Sequence, residues 1–110
     1  MDIQITGRNL AVNDGIKDYV NNRLDPVLAD YPRVESCHVI LAHEKYRYTA
    51  EVVVQGREKL RAEAEETSDD LYASIDLATD KIDKQLRKSR DKMIERHQER
   101  QRLADVEPTA

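Results

Sequence analysis

Residues 34–65 read VESCHVILAHEKYRYTAEVVVQGREKLRAEAE, and apolar and polar side chains alternate along most of this segment. A period of two is typical of strands that bury one face. We predict three strands, over residues 34–44, 47–55 and 59–65, with a turn at Gly56-Arg57 before the third. Because the connections between them are short, the three strands are expected to pair antiparallel, as a meander.

The residues before this segment predict one further strand and one helix. Residues 2–7 alternate in the same way, and the strand is expected to end at Gly7. A helix is predicted to follow Asn13, which is a suitable N-cap, and its last turns are expected to bend or break at Pro26. Its apolar positions recur at helical spacing and are Ile16, Tyr19, Val20, Leu24, Val27 and Leu28.

The residues after the meander predict a long helix. No Gly or Pro occurs between Thr67 and Pro108, and the acidic pair Asp69-Asp70 suits a helix N-terminus. A helix from Asp69 to about Arg102 would be roughly 50 Å long at ~1.5 Å per residue, so its far end is expected to project from the body. Apolar residues at helical spacing predict docking of the first half only; they are Leu71, Ile75, Ala78, Ile82 and Leu86.

Together these elements predict an α+β fold of order β-α-β-β-β-α, in which a four-stranded sheet carries two helices on one face. A single domain is expected over residues 1–102, followed by a short polar tail at 103–110 that we expect to be disordered. The length of 110 residues suits one hydrophobic core and is too short for two.

The composition argues against a membrane protein and against a secreted protein. The chain has no apolar run of about 18 residues, so no membrane span is predicted. Its start lacks a secretory signal, and Cys37 is the only cysteine, which favours a reducing cytoplasm. The net charge of −4 hides an asymmetry. Residues 81–102 carry nine Lys and Arg against four Asp and Glu, a net of +5, and the remainder carries nine against eighteen, a net of −9.

The residues offer no catalytic or metal-binding pattern. Cys37 and His38 are adjacent on a predicted strand and so face opposite sides, as do His38 and His43. No pair has zinc-ligand spacing, and the three glycines are isolated, which excludes a glycine-rich phosphate loop. We therefore predict no enzyme activity, no metal site and no cofactor, and a buried structural role for Cys37.

The last helix carries a row of four lysines beside its apolar stripe. At ~100° per residue they fall within an arc of roughly 80°. They are Lys81, Lys84, Lys88 and Lys92. Neighbouring like charges destabilise a helix by a few tenths of a kcal/mol each, and a bound polyanion would remove that cost. A solvated face with internal ion pairs is the alternative, because two acid–base pairs stand four apart in the favourable order, Asp80 with Lys84 and Asp83 with Arg87.

A second basic group lies in the strands and their turns. It comprises Lys45, Arg47, Arg57, Lys59 and Arg61. These residues could follow a phosphate backbone across the open side of the sheet. Interleaved glutamates, and the common use of Lys to protect sheet edges, offer a structural explanation instead. Tyr46 and Tyr72 are candidates for stacking on bases, and Tyr72 is expected to be partly buried against the sheet because it borders the apolar stripe.

Three stretches of the chain resemble the ribosome hibernation promoting factor family, which includes the ribosome-associated inhibitor and whose members were once called sigma-54 modulation proteins. The stretches are IQITGRNL at 3–10, DLYASID at 70–76 and DKIDKQL at 80–86. The likeness covers about residues 1–95. Its most specific part is the Asp-Leu-Tyr-x-x-Ile-Asp run at the head of a basic final helix.

The resemblance implies a fold similar to double-stranded RNA-binding domains. It also implies binding to the small ribosomal subunit on its rRNA, between head and body, where messenger and transfer RNA would otherwise lie. Occupying that site blocks translation in starved or stationary cells. The implied rRNA-binding residues are Lys81, Lys84, Arg87, Lys88, Arg90 and Lys92, with a possible secondary set of Arg8, Lys45, Arg47, Lys59, Arg61 and Tyr72. Ile75 and Leu86 match core positions, and acidic Glu63 and Asp83 interrupt the basic surface.

The resemblance further implies a short-type factor, because the chain stops at residue 110 without the extra C-terminal domain with which long members pair ribosomes. A brief acidic tail favours a form that promotes ribosome pairing together with a separate ribosome modulation factor. The free protein is expected to be monomeric. Two alternatives stay open: a transcription modulator of the sigma-54 type, whose projecting helix binds a protein through Met93, Ile94 and Leu103, and a generic double-stranded RNA-binding protein.

Overall fold

The computed structural model describes residues 3–106, with side chains described for residues 3–92, and it has the predicted order of elements. The elements are β1 (Ile3–Arg8), α1 (Asp14–Ala29), β2 (Val34–Glu44), β3 (Arg47–Gly56), β4 (Arg61–Ser68) and α2 (Leu71–Val106). The strands form one sheet in the order β1-β2-β3-β4, in which β1 is parallel to β2 and the other neighbours are antiparallel. The α+β class and the antiparallel meander are confirmed.

Alternation along the strands gives the sheet one buried face and one open face. On the buried face, Val39 of β2 lies between Ile5 of β1 and Val52 of β3, and Val52 in turn pairs with Ala64 of β4. Both helices cover this face. The residues that α2 contributes to the core are the five predicted ones, Leu71, Ile75, Ala78, Ile82 and Leu86. The core is built from aliphatic side chains because the sequence has no Phe and no Trp.

Helix α1 begins as predicted and continues past Pro26. The Oδ1 atom of Asn13 accepts a hydrogen bond from the backbone N–H of Ile16 at 2.9 Å, which caps the helix. The expected break at Pro26 is wrong, since the helix runs on to Ala29. Pro26 deprives the carbonyl of Asn22 of its helical donor, but both residues are exposed, so water can supply the missing hydrogen bond.

Helix α2 is longer than predicted. It ends at Val106 rather than near Arg102, so residues 103–106 of the expected tail are helical, and residues 107–110 lie outside the described part of the chain. The first residue beyond Thr67 that stops a helix is Pro108, which explains the extension. The Cα radius of gyration is 17.9 Å, against ~13 Å for a compact domain of this length, so the far end of α2 projects from the body as expected.

The connection between β3 and β4 also differs from the prediction. Strand β4 begins at Arg61, two residues late, because Glu58 and Lys59 have left-handed φ angles of 58° and 64° that no strand accommodates. Lys59 therefore lies in the turn. Gly56 is required where this turn begins, because a Cβ atom there would lie 2.1 Å from the carbonyl oxygen of Arg33.

Candidate nucleic-acid interface

Polar contacts fix α2 to the sheet in addition to its apolar face. Ser74 is buried, and its Oγ donates to the carbonyl of Tyr48 on β3 at 2.7 Å. Further along the helix, the side-chain amide of Gln85 spans the outer edge of β4. Its Oε1 accepts from the N–H of Glu63 at 3.1 Å, and its Nε2 donates to the Glu63 carbonyl at 2.8 Å. These contacts set the rotation of α2 about its axis and thereby decide which of its residues face outward.

The side of α2 next to the β4 edge carries the predicted lysines, which we call the lysine row: Lys81, Lys84, Lys88 and Lys92. Lys81 forms an ion pair with Glu66 of β4. Among the side chains of residues 3–92, no carboxylate lies within 4.0 Å of the other three ammonium groups, and all three lysines are exposed. The row spans roughly 17 Å along the helix. Three exposed cations without a partner among the described side chains therefore line one side of α2, an arrangement suited to contacts with a phosphate backbone.

The row ends in a cleft of about 240 Å³ that gathers further cations, and we call it the Arg33 cleft. Its charged lining residues are Arg33, Glu58, Lys59, Arg61 and Lys92. Two of the cations are partly neutralised, since Arg33 lies 3.7 Å from Glu58 and Arg61 lies 3.0 Å from Glu63. Four cations against one lining carboxylate leave the cleft positive. The structure thus joins Lys59 and Arg61 of the predicted secondary set to the lysine row.

Sequence reasoning missed Arg33 and Gln85. Arg33 stands alone between Pro32 and the first residue of β2, with no basic neighbour in the sequence to mark it. It meets the cleft only because the β3–β4 turn folds back onto the start of β2, where Arg57 N–H donates to the Arg33 carbonyl at 2.9 Å. The role of Gln85 depends in the same way on its position over the β4 edge, which helical periodicity does not reveal.

Arg87 and Arg90 lie on the opposite side of α2, towards α1. Arg87 contacts the Asp83 carboxylate at 3.0 Å, and the Tyr31 hydroxyl of the α1–β2 connection donates to the same carboxylate at 2.9 Å. The Arg90 guanidinium lies 5.4 Å from the centre of the Tyr31 ring. Burial, followed by the hydrogen bond to Asp83, raises the pKa of the Tyr31 hydroxyl above its ordinary value, so the hydroxyl stays protonated and continues to donate. The six predicted primary residues therefore divide between two sides of the helix.

A second tyrosine–aspartate contact lies between α1 and α2. The Tyr19 hydroxyl donates to both carboxylate oxygens of Asp76, at 2.8 and 2.9 Å, and Arg23 lies 3.1 Å from the same carboxylate. Tyr72 packs edge-on against Tyr19, with ring centres 4.7 Å apart, and is 43% exposed. Its partial burial is thus against α1 rather than against the sheet as expected, because it projects from the side of α2 that faces α1.

The remaining predicted cations gather at the other end of the sheet. Lys45 and Arg47 flank Tyr46 in the β2–β3 turn, and Arg8 ends β1 beside Ala42 near the end of β2. Strand β3 is ten residues long, which places this group roughly 30 Å from the Arg33 cleft. The predicted secondary set is therefore split between two ends of the molecule.

The open face of the sheet between these ends is not basic. Glu51 on β3 pairs directly with Glu65 on β4, and Val53 pairs with Glu63. Like charges placed opposite each other repel, and here they would also repel phosphate. The prediction that basic residues could follow a phosphate backbone across the open side of the sheet does not hold, because the cations lie at its ends and the glutamates at its centre.

The described part of the chain contains no group of three or more His, Cys, Asp and Glu side chains placed to hold a metal ion. Within that part, no helix is both long enough and apolar enough to span a membrane. Cys37 is buried, as expected, on the face of β2 that packs under the helices. Burial, with a smaller contribution from Asp25, raises the pKa of its thiol to about 11. A thiol in this state is a poor nucleophile.

Comparison with known proteins decides the family. The family model described as Sigma 54 modulation protein / S30EA ribosomal protein matches residues 3–94. The chain belongs to this family. The ribosome hibernation promoting factor of Azotobacter vinelandii, a relative within it, is 40% identical over 107 residues, which cover 96% of both chains. The resemblance inferred from residues 3–10, 70–76 and 80–86 is confirmed.

Solved structures agree with the family and with the fold. The N-terminal domain of Protein Y from Thermus thermophilus superposes with a TM-score of 0.73 at 33% identity, over 80% of this chain and 98% of that one. A ribosomal subunit interface protein from Coxiella burnetii superposes with a TM-score of 0.76 over 83% of this chain and 99% of that one. Its identity is 23%, so it supports the fold alone. In this family member, the strip formed by the lysine row and the Arg33 cleft is the candidate RNA-binding surface.

Proposed function

We propose that this protein is a ribosome hibernation factor that binds the rRNA of the small ribosomal subunit in the channel for messenger and transfer RNA. Binding there blocks translation in stationary phase or stress and promotes the formation of inactive paired ribosomes, with a separate ribosome modulation factor as a possible partner on the same ribosome. The protein acts in the cytoplasm, as a monomer when free, through a single domain whose last helix runs to Val106. The observation that carries the proposal is the lysine row, in which the ammonium groups of Lys84, Lys88 and Lys92 are exposed and have no carboxylate partner among the side chains of residues 3–92.

The lysine row and the Arg33 cleft supply the affinity in this proposal. Their cations neutralise phosphates and release counterions, which gives strong binding with little dependence on sequence. Arg87 and Arg90 would reach a second stretch of backbone across the helix, where Asp83 competes with phosphate for Arg87. The secondary set at the other end, Arg8, Lys45, Arg47 and Tyr72, would make outlying contacts. Specificity would come from the shape of a folded RNA groove rather than from base pairs.

The acidic remainder of the molecule orients it on the RNA. The glutamates of the open sheet face, with Glu51 opposite Glu65, would be repelled by phosphate, so the protein docks with α2 inward and the sheet outward. Inhibition is then steric: the protein occupies the channel and no bond is made or broken. We accordingly propose no enzymatic activity, cofactor or metal for this chain.

Co-sedimentation with vacant small subunits tests the proposal. The test variant carries Lys84→Gln, Lys88→Gln and Lys92→Gln. Its matched control carries Gln4→Glu, Asn22→Asp and Ser36→Glu, three exposed positions outside α2 and the Arg33 cleft, so both variants change the net charge by the same three units. We expect wild type and control to bind at low salt and to dissociate as salt rises, and the lysine variant to bind at least tenfold more weakly. Equal binding by all three proteins would refute the assigned surface.

Two further outcomes would favour the alternative functions. Binding that persists at high salt would indicate an apolar protein contact, as a transcription modulator of the sigma-54 type would make. Equally tight binding to any long RNA duplex would indicate generic double-stranded RNA recognition. We do not expect binding at high salt, because the lysine row is charged and not apolar. We do not expect equally tight binding to any long duplex, because the shape of a folded RNA groove would supply the specificity. A long duplex should then displace the protein from the small subunit only at large excess.

A further inference from the structure

The tip of the β2–β3 turn presents an aromatic ring that nothing in the fold accounts for. Tyr46 is 70% exposed, the most exposed of the large hydrophobic side chains described. Each of the other four tyrosines is held by the protein. Tyr19 and Tyr31 donate hydrogen bonds to aspartates. Tyr48 stacks on His43, and Tyr72 packs edge-on against Tyr19. A contact with a second element of the fold therefore exists for every tyrosine except Tyr46.

The turn holds this ring outward at a conformational cost. Glu44 pairs with Arg47, so only Lys45 and Tyr46 connect the two strands. Lys45 has a φ of 57°, in the left-handed region where two-residue hairpins usually place Gly or Asn. A non-glycine residue is strained in this region, and the turn nevertheless carries two long side chains, those of Lys45 and Tyr46.

The surroundings of Tyr46 suit a nucleobase better than a phosphate. The Arg47 guanidinium lies 5.7 Å from the centre of the ring, so a cation already supports it. A cleft of about 300 Å³ adjoins the ring and is lined by Tyr46, Arg47, Thr67, Ser68 and Asp69. The carboxylate of Asp69 would repel a phosphate, but it can accept a hydrogen bond from an exocyclic amino group, as carboxylates do from cytosine.

The cleft lies on the path of the lysine row. Thr67 and Ser68 follow Glu66 on β4, and Glu66 forms the ion pair with Lys81, the first residue of the row. Leu77, one helical turn before Lys81, is 46% exposed and continues the row towards the head of the helix. An RNA backbone that follows the row can thus place a nucleotide beyond Lys81 close to Tyr46.

We propose that Tyr46 is a stacking platform for one unpaired base of the bound RNA, and that Asp69 selects a base with an exocyclic amino group. This inference rests on the proposed function, to which it adds a contact with a base. Stacking on an exposed aromatic ring is a common way to bind single-stranded RNA and is worth ~1–3 kcal/mol per base, which corresponds to roughly 5-fold to 150-fold in affinity.

The platform can be tested by fluorescence, because the chain has no Trp and a Tyr46→Trp substitution introduces a single reporter. The probes are oligonucleotides of about twelve cytidines and of about twelve uridines, which present pyrimidine rings of the same size but differ in the amino group. We expect the cytidine probe to quench the indole and to bind several-fold more tightly than the uridine probe. Adding Asp69→Ala should abolish this preference. Absence of quenching, or equal binding of the two probes, would overturn the proposal.

Binding to the small subunit provides the second test. Tyr46→Ala should weaken co-sedimentation roughly tenfold, whereas Tyr46→Phe, which keeps the ring, should stay within about twofold of wild type. Wild-type binding that Tyr46→Ala leaves unchanged would refute the platform and leave the ribosomal function intact. No binding by wild type would refute the ribosomal function, and quenching by the cytidine probe would then still report whether the platform exists.

Discussion

The amide of Gln85 on α2 forms a two-point hydrogen bond with the backbone N–H and carbonyl of Glu63 on β4. An amide side chain in this position imitates the backbone of a neighbouring strand. It satisfies two groups on an edge that could otherwise pair with another chain. The contact also fixes α2 against β4 at the level of Lys81, Lys84 and Lys88, so it determines the direction in which the lysine row faces.

Gln85→Ala should therefore lower the free energy of unfolding. Two hydrogen bonds are lost, and two groups of an exposed edge return to water, so we expect a loss of about 1–2 kcal/mol. Urea denaturation measures it. Lys88→Ala is the control, because it truncates an exposed side chain one turn away that has no partner among the described side chains, and it should change stability by less than about 0.5 kcal/mol. Equal losses in the two variants would show that the Gln85 contact contributes nothing.

The two sides of α2 should differ in their contribution to RNA binding. Lys88 has no carboxylate partner among the side chains of residues 3–92, so Lys88→Ala should reduce the slope of log K against log salt by about 1 and weaken binding to the small subunit several-fold. Arg87 must leave Asp83 to reach a phosphate, so Arg87→Ala should change the affinity by less than about twofold. Co-sedimentation across a series of salt concentrations measures both effects.

The ranking of these two variants also tests the orientation of the bound protein. A larger effect of Arg87→Ala than of Lys88→Ala would place the α1 side of α2 against the RNA. Asp83→Asn provides an independent check, since it removes the carboxylate charge that holds Arg87. On our assignment it should strengthen binding by no more than about twofold, whereas contact through the α1 side would give a larger gain.

Periodicity in the sequence was sufficient for the number and order of the strands and helices and for the buried side of α2, because period-two and helical patterns record which side of an element meets the core. It did not give the start of β4 or the ends of the two helices. The division of the cations could not be predicted in this way. Lys88 and Arg87 are neighbours in the sequence, and they differ only because α1 packs on one side of α2 and β4 on the other. The Arg33 cleft likewise depends on a turn with two left-handed residues, for which the sequence Glu58-Lys59 has no glycine to mark the conformation.

The stability of the packing between α2 and the α1–β2 connection should depend on the hydroxyl of Tyr31. Tyr31→Phe removes the hydrogen bond to Asp83 while the ring stays in the core, so we expect unfolding to become easier by about 1–2 kcal/mol in urea denaturation. Tyr46→Phe removes a hydroxyl for which no protein hydrogen bond is found among the described residues, and it should have an effect below about 0.5 kcal/mol. If the two substitutions cost the same, the Tyr31–Asp83 contact makes no net contribution.

Cys37 should make the stability depend on pH in the alkaline range. The folded state raises the pKa of the thiol to about 11, whereas the unfolded chain releases this proton near its ordinary value of 9.0. Between these values the folded state binds more protons than the unfolded state, so the free energy of unfolding falls as pH rises. The loss from this group should reach about 2 kcal/mol at pH 10.5. Urea denaturation at pH 8 and pH 10.5 measures it, and Cys37→Ala should lose about 2 kcal/mol less over the same interval.

The same burial predicts that a thiol reagent modifies the folded protein at pH 8 only slowly and reacts at once in denaturant. Rapid modification of the folded protein, or identical pH dependence in Cys37→Ala, would contradict a thiol held in the core beneath the helices.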